Sequence, residues 1–367
     1  MDGHTQKWLE RAKPFIGVIF LQFGFAGMDV LSKAALNKGM SNYVLVVYRH
    51  VVAFVVITPF ALIIDKKVRP KMTFSIFMKM VALSILEPVI DQNLYFLGMK
   101  YTTATFAAAM TNMLPAITFV LAFILRLEKV KIRSIRSQAK VVGTLATVAG
   151  AMVMTLIKGP ELFGFHGSNA HNQHNNGANL HDVIKGSIMI TIGCFSWACF
   201  MVLQSVTLEA YPAELSLTSW ICLLGTIQGG IVGLIMERAN PSVWALHWDT
   251  KLLAAAYSGI FCSGLAYYIQ GVVMKTRGPV FVTAFSPLCM VIVAIMGSIF
   301  LAEQMFLGRV VGAIVIILGL YMVVWGKSKD YDTPNPTIED NNSKAKNQYL
   351  NPEGMNGKEN IATDEQV

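Results

Sequence analysis

The residues with chemistry to offer are charges set inside apolar runs. Asp29, Arg49 with His50, and Glu87 with Asp91 stand in three separate hydrophobic segments. A charged side chain at the centre of a membrane helix costs about 2.5–3.5 kcal/mol or more, so such groups face a cavity or a partner. Glu87 and Asp91 are four apart and share a helical face. Pro88 follows Glu87 directly, removes a backbone donor and can kink the helix. The stretch E-P-V-I-D-Q-N, which adds Gln92, is the most polar and most breakable piece of apolar segment in the chain. Two readings follow. Glu87 centres a substrate or proton site, or Arg49 and Asp91 form an ion pair that only holds two helices together. Asp29 has the further, cheap option of an interfacial position.

A zwitterion needs a cation for its carboxylate and an acceptor for its ammonium. Arg49 with Glu87 or Asp91 supplies both. Uncharged polar groups complete the candidate set: Asn112 beside Thr111, Trp197 beside Ser196, and Ser263 with Ser258, Tyr267 and Gln270. Trp197 is too deep for an interfacial belt, which leaves a pocket wall or core packing. The expected substrate-binding residues are therefore Arg49, Glu87, Asp91, Gln92, Asn112, Trp197 and Ser263. Asp29, Pro88, Pro115, Glu128, Pro287 and Glu303 are expected to be structural or to act in gating.

Other chemistries lack support. No Walker loop, no dinucleotide glycine fingerprint and no H-E-x-x-H is present, which argues against an enzyme, an ATP-driven pump and a bound cofactor. Cys194, Cys199, Cys222, Cys262 and Cys289 all lie in apolar segments and read as small buried hydrophobes. His166, His171, His174 and His181 fall in a low-complexity stretch that needs no metal to explain it.

The elements that must position these residues are membrane helices. The 367 residues are 54% hydrophobic and 14% charged, with mean hydropathy +0.51, whereas soluble domains carry about 25% charge. Apolar segments fall at 14–35, 43–64, 76–97, 103–125 and 138–157, then at 185–207, 214–236, 252–272, 279–301 and 307–326. Asp29, Arg49 and Asp91 each lie about six residues from one end of their segment, near 9 Å deep in one layer. Net charge is +8, but the basic residues sit in short loops between segments and not in an aromatic-basic pattern, so the charge does not indicate nucleic-acid binding. Lys7, Arg11 and Lys13, then Lys66, Lys67, Arg69 and Lys71, then Arg126, Lys129, Lys131, Arg133, Arg136 and Lys140 all fall on one side if the helices alternate. That side is cytosolic, with both termini. The polar N-terminus, 1–13, reads as the flank of a retained signal anchor.

The chain is doubled. K-V-V-G-T-L-A-T-V-A-G at 140–150 recurs as R-V-V-G-A-I-V-I-I-L-G at 309–319, and the pair Gly17, Gly24 recurs as Gly186, Gly193. Each half, 14–157 and 185–326, has five segments. An odd number makes the second half enter the membrane upside down, an inverted repeat common in secondary transporters. The expected fold is an all-α membrane protein of ten transmembrane helices. A flexible outer connector (158–184) joins the halves, and a disordered cytosolic tail (327–367) ends the chain. Gly225, Gly229 and Gly233 form a doubled G-x-x-x-G, read as packing within the bundle, with a homodimer contact as the alternative.

The residues also carry a resemblance. Q-F-G-F-A-G (22–27), V-Y-R-H (47–50), R-P-K-M-T (69–73), E-P-V-I-D-Q-N-L-Y (87–95), N-M-L-P-A-I-T-F-V-L-A (112–122), Y-P-A-E-L-S-L-T (211–218) and R-G-P-V-F-V-T-A-F-S-P-L (277–288) are similar to the plant nodulin-type branch of the drug/metabolite transporter superfamily. These are the Walls-Are-Thin-related or Usually-Multiple-Acids-Move-In-and-out transporters. The resemblance spans about 15 to 328. It implies two EamA-type repeats, a plant source, and export or two-way movement of amino acids at the plasma membrane, with the vacuolar membrane as the alternative. Some members are linked to auxin instead. The family's proline and glutamate marks carry over to Pro115, Glu128, Pro287 and Glu303. A non-transporting receptor or scaffold and a channel are the readings from other classes.

Overall fold

The computed structural model describes residues 3–125, 135–156, 161–163, 180–245, 248–300 and 305–327. Its helices are α1 (Gly3–Asn37), α2 (Asn42–Ile64), α3 (residues 74–101), α4 (Ala104–Ile124), α5 (Ile135–Leu156), α6 (Leu180–Ala210), α7 (Glu214–Met236), α8 (Thr250–Arg277), α9 (Pro279–Phe300) and α10 (Leu307–Lys327). Each apolar segment of the sequence lies in one of them. Among the described residues, seven helices are long and apolar enough to cross a membrane: α1, α2, α4, α6, α7, α8 and α9. Helices α5 and α10 carry shorter apolar stretches, Val141–Gly150 and Val310–Val323. Large apolar side chains such as Phe60, Ile63, Phe123, Leu234 and Phe300 point outward, while Arg49, Glu87, Asp91 and Gln92 are buried. An apolar exterior around a polar interior suits a protein surrounded by lipid.

Helices of one half pack on their counterparts in the other. Helix α2 packs on α7 and α5 on α10; α1 packs on α8 and α9, and α6 on α3 and α4. Glycine sets these approaches. A Cβ on Gly143 would lie 2.7 Å from the Gly319 carbonyl oxygen, and one on Gly150 would lie 3.0 Å from that of Gly312. The repeated glycine motif thus meets itself with its direction reversed, and α5 and α10 are antiparallel. The chain leaving α5 therefore passes the chain entering α10. There Glu161–Phe163, inside the connector expected to be flexible, pairs antiparallel with Met305–Phe306. The remaining connector residues up to 179, the tail beyond 327, Glu128 and Glu303 lie outside the described residues.

Helix α7 shows what its glycine stripe does. Gly225 faces the Pro88 ring, Gly229 faces Val47, and Gly233 faces Trp244. The doubled motif packs within the bundle.

The third and fourth helices of each half are broken at matching places. Helix α3 widens into a π segment, Ile85–Asp91. Pro88 has no N–H, and its ring would strike the carbonyl four residues back in a regular helix. The wide turn relieves this, and the ring enters the notch at Gly225, 2.7 Å from where a Cβ would stand. Helix α8 has a π segment at Ser258–Leu265 without a proline. Here Gly259 lets the α2 backbone approach, with the Arg49 carbonyl oxygen 2.6 Å from an ideal Cβ. In α4 a 3-10 turn, Thr111–Met113, precedes Pro115. In α9 the helix is interrupted between Thr283 and Ser286, just before Pro287.

These contacts separate two glycines that the sequence alone treats alike. Gly319→Ala places a methyl against the α5 backbone and should destabilise by about 1–3 kcal/mol. Gly24→Ala, with nothing within 4 Å of its Cβ, should be neutral. Thermal unfolding of the two variants in detergent checks this; equal midpoints would contradict the packing described.

Candidate functional site

Arg49 organises the interior. It sits on α2, 1% exposed, and is held from three other helices. Its Nε donates to Ser263 Oγ on α8 (2.5 Å), and its Nη1 donates to Gln92 Oε1 on α3 (2.5 Å) and Met28 Sδ on α1 (3.0 Å). Its Nη2 lies 3.9 Å from Glu87 Oε1. A guanidinium only donates, so the Gln92 carbonyl oxygen must face it and the amide nitrogen must turn away. That nitrogen donates to Glu87 Oε1 (2.7 Å) and to Asp91 Oδ2 (3.4 Å). Glu87 and Gln92 are five residues apart, which a regular helix would separate by roughly 140°. The π segment brings them onto one face, so the proline-forced break also builds the Arg49–Gln92–Glu87 chain.

The second oxygen of Glu87, Oε2, lies 3.6 Å from His50 Nε2. His50 Nδ1 is 2.7 Å from the Val46 carbonyl oxygen. A carbonyl can only accept, so Nδ1 carries hydrogen and Nε2 is left facing the acid. Ser263 Oγ stands 3.4 Å from the same Nε2.

The Arg49–Asp91 ion pair, one of the two readings of these charges, does not form among the described residues; Arg49 approaches Glu87 instead. The wide turn of α3 rotates Asp91 toward α6, where Gly193 makes room: its ideal Cβ would be 3.0 Å from Asp91 Oδ1. Asp29 is not interfacial. It is 3% exposed, and its Oδ1 accepts from the Tyr95 hydroxyl at 2.9 Å. Hydrogen bonds link Arg49, Gln92, Glu87 and Asp91, and Arg49 also reaches Met28, the chain neighbour of Asp29.

Beside this cluster is a small cavity of about 40 Å³. Its walls come from α1, α3, α4, α6 and α9, and therefore from both halves. Gln22, Asp29, Tyr95, Thr111, Trp197 and Ser286 give it polar groups; Phe25, Met28, Met201 and Cys289 are among its apolar ones. Among the described residues, Asp29 is its one acidic or basic lining residue. Trp197 stands edge-on to Phe25, with centroids 5.6 Å apart. The indole Nε1 is buried with no hydrogen-bond partner among the described residues.

The sequence-derived candidates thus divide. Trp197 and Asp29 line the cavity. Arg49, Glu87, Asp91, Gln92 and Ser263 form the adjoining network and do not line it. Asn112 lies between the halves and donates to Met290 Sδ at 2.9 Å. Pro88, Pro115 and Pro287 mark the helix breaks. Sequence reasoning missed Gln22 and Tyr95, and it named His50 without giving it a role. The available signal was spacing: Gln22 precedes Asp29 by seven residues, two helical turns on one face, and Tyr95 follows Asp91 by four. Among the described residues, no group of three or more His, Cys, Asp or Glu could hold a metal ion.

Comparison with known proteins identifies the architecture. The EamA-like transporter family matches residues 13–156 and again 184–325. A WAT1-related protein of Arabidopsis thaliana is 66% identical over 96% of this chain and 92% of its own length. Two others from the same plant are 61% and 59% identical over 88% and 92% of this chain, covering 87% and 94% of their own lengths. A solved crystal structure with 16% identity overlays with a TM-score of 0.59, covering 83% of this chain and 98% of that one; it shows likeness of fold alone.

Removing one partner of a buried charge pair strands the other and costs about 3–5 kcal/mol. Arg49→Gln and Glu87→Gln should each lower the thermal midpoint. The double variant, which strands neither charge, should be less destabilised than the sum of the two. Strict additivity in a double-mutant cycle would show that Arg49 and Glu87 do not interact.

Proposed function

The chain belongs to the EamA-like transporter family, and from that premise we propose that it moves amino acids across a membrane by alternating access. The observation that carries this reading is the cavity between the halves, whose one acidic lining residue among the described residues is Asp29. An α-ammonium can take the place of the Tyr95 hydroxyl on Asp29. The α-carboxylate then has Trp197 Nε1, Gln22 and Ser286 as neutral donors. Arg49 does not hold the substrate carboxylate in this reading, because it does not line the cavity, its Nε and Nη1 donate to Ser263, Gln92 and Met28, and its Nη2 faces Glu87. Auxin or another organic anion fits less well, since it would meet a carboxylate; the aromatic pair Phe25–Trp197 is what favours it.

The reading includes ten spanning helices in two inverted halves. Its support is the reversed meeting of the glycine motifs on α5 and α10, and the matching breaks in the third and fourth helices. Breaks at the depth of the cavity let each half rock about the site while backbone irregularity stays buried in protein. Basic loops on one side favour cytosolic termini, and the family resemblance favours the plasma membrane.

Two measurements test the reading in proteoliposomes. Asp29→Asn removes one charged hydrogen-bonding partner, about 1.5–3 kcal/mol, and should cut labelled-glutamine counterflow by about ten- to a hundredfold. Cys289, whose Sγ is 4.0 Å from Asp29 Oδ2, should react faster with a cationic than with an anionic methanethiosulfonate, and glutamine should protect it; Cys289→Ser removes the signal. Unchanged flux in Asp29→Asn, or displacement of glutamine by auxin but not by other amino acids, would overturn the assignment.

A further inference from the structure

The layer holds more acid than the cavity uses. Glu87 is not among the residues that line the cavity. Its Oε1 is satisfied by the Gln92 amide at 2.7 Å and approached by Arg49. Its Oε2 is buried with no hydrogen-bond partner among the described residues. His50 Nε2 stands 3.6 Å from it, on a ring whose other nitrogen is already committed as a donor to the Val46 carbonyl, and the Tyr267 hydroxyl also faces the Glu87 carboxyl. A neutral imidazole would then turn its Nε2 lone pair, which the Ser263 hydroxyl meets at 3.4 Å, toward a buried carboxylate. The facing atoms become compatible when one proton sits on either of them, as imidazolium with carboxylate or as imidazole with carboxylic acid.

We infer that His50 and Glu87 together form a single-proton site, separate from the substrate cavity, whose occupancy is coupled to transport. The other titratable or charged groups facing this pair are Arg49 on α2, Asp91 on α3, Cys222 on α7, and Cys262 and Tyr267 on α8. Arg49 is a permanent cation in one place. The proton is therefore the variable charge, entering from water onto Nε2 or Oε2 and leaving to water with no other bond made or broken. A path to the cavity exists in the hydrogen bonds. Glu87 fixes Gln92, Gln92 fixes Arg49, and Arg49 Nη1 donates to Met28 Sδ, a wall of the cavity next to Asp29. Losing the proton changes what Glu87 accepts, and so loads or relaxes this chain. The inference rests on the transport reading for its coupling, but not for the existence of the proton site.

The experiment separates the two. In proteoliposomes with a pH difference of one unit, one-to-one coupling concentrates glutamine up to about tenfold on one side. Glu87→Gln and His50→Gln should each leave glutamine equilibrated across the membrane, while counterflow without a gradient persists; persistent counterflow also shows that the variants fold. Infrared difference spectra of the wild type stepped in pH, without substrate, should show a carboxyl or imidazole band that Glu87→Gln and His50→Gln both remove. Gradient-driven accumulation surviving in Glu87→Gln would overturn the coupling. A pH-difference spectrum unchanged by both substitutions would overturn the site itself. Absence of glutamine counterflow in the wild type would instead refute the transport reading, with the infrared result still deciding the proton site.

Discussion

A guanidinium surrounded by apolar helices must have every donor placed, because it cannot shed its charge. Arg49 is that group, and much of the interior is arranged to satisfy it. Ser263 reaches it because α8 widens at Ser258–Leu265 and comes close at Gly259. Gln92 reaches it because α3 widens at Pro88 and seats the ring in the Gly225 notch. Met28 reaches it from α1. Each of these features is local, but together they lock α1, α3 and α8 around α2. They also leave the carboxyl groups in defined and different roles: Glu87 with the cation, Asp91 against Gly193, and Asp29 on the cavity wall.

Helix association in lipid gains little from burying apolar surface, so close backbone approach and interhelical hydrogen bonds must do more. The glycine contacts supply the first. Gly143 with Gly319 and Gly150 with Gly312 join the fifth helices of the halves, while Gly186 packs on Gly98. Side chains supply the second at the edges, where Lys33 donates to the Met99 and Thr102 carbonyls at the end of α3 and Lys100 donates to Asn42. One turn shows the same economy. Gly39, at φ +80°, closes α1 with Met40 N–H donating to Ala35 and Gly39 N–H to Leu36, a left-handed end that glycine adopts without steric cost.

Much of this was legible in the sequence. Apolar runs located the helices, since membrane helices announce themselves by length and hydropathy. The charges at Asp29, Arg49, Glu87 and Asp91 were found for the same reason, and counting residues gave Asp29, Arg49 and Asp91 one expected depth. The glycine repeat announced its duplication. What the sequence could not give was rotation about each helix axis. That is why Asp91 was paired with Arg49 when Glu87 lies nearer, and why Tyr95 and Gln22 went unnoticed as cavity walls. The π segment of α8 had no proline to betray it; Gly259 acts only because α2 happens to approach there. His50 mattered through which nitrogen its own helix occupies, a detail of side-chain geometry that no spacing carries.

The central claim is a division of labour in one buried layer, with Asp29 facing the solute and the Arg49–Glu87 network behind it. Cryo-electron microscopy of the full chain in lipid nanodiscs, with and without saturating glutamine, tests it most directly. The account predicts added density between the Asp29 carboxyl and Trp197, touching α1 and α6, with Arg49 still held by Ser263 and Gln92. Glutamine density seated on the Arg49 guanidinium, or the same empty cavity in both maps, would contradict it.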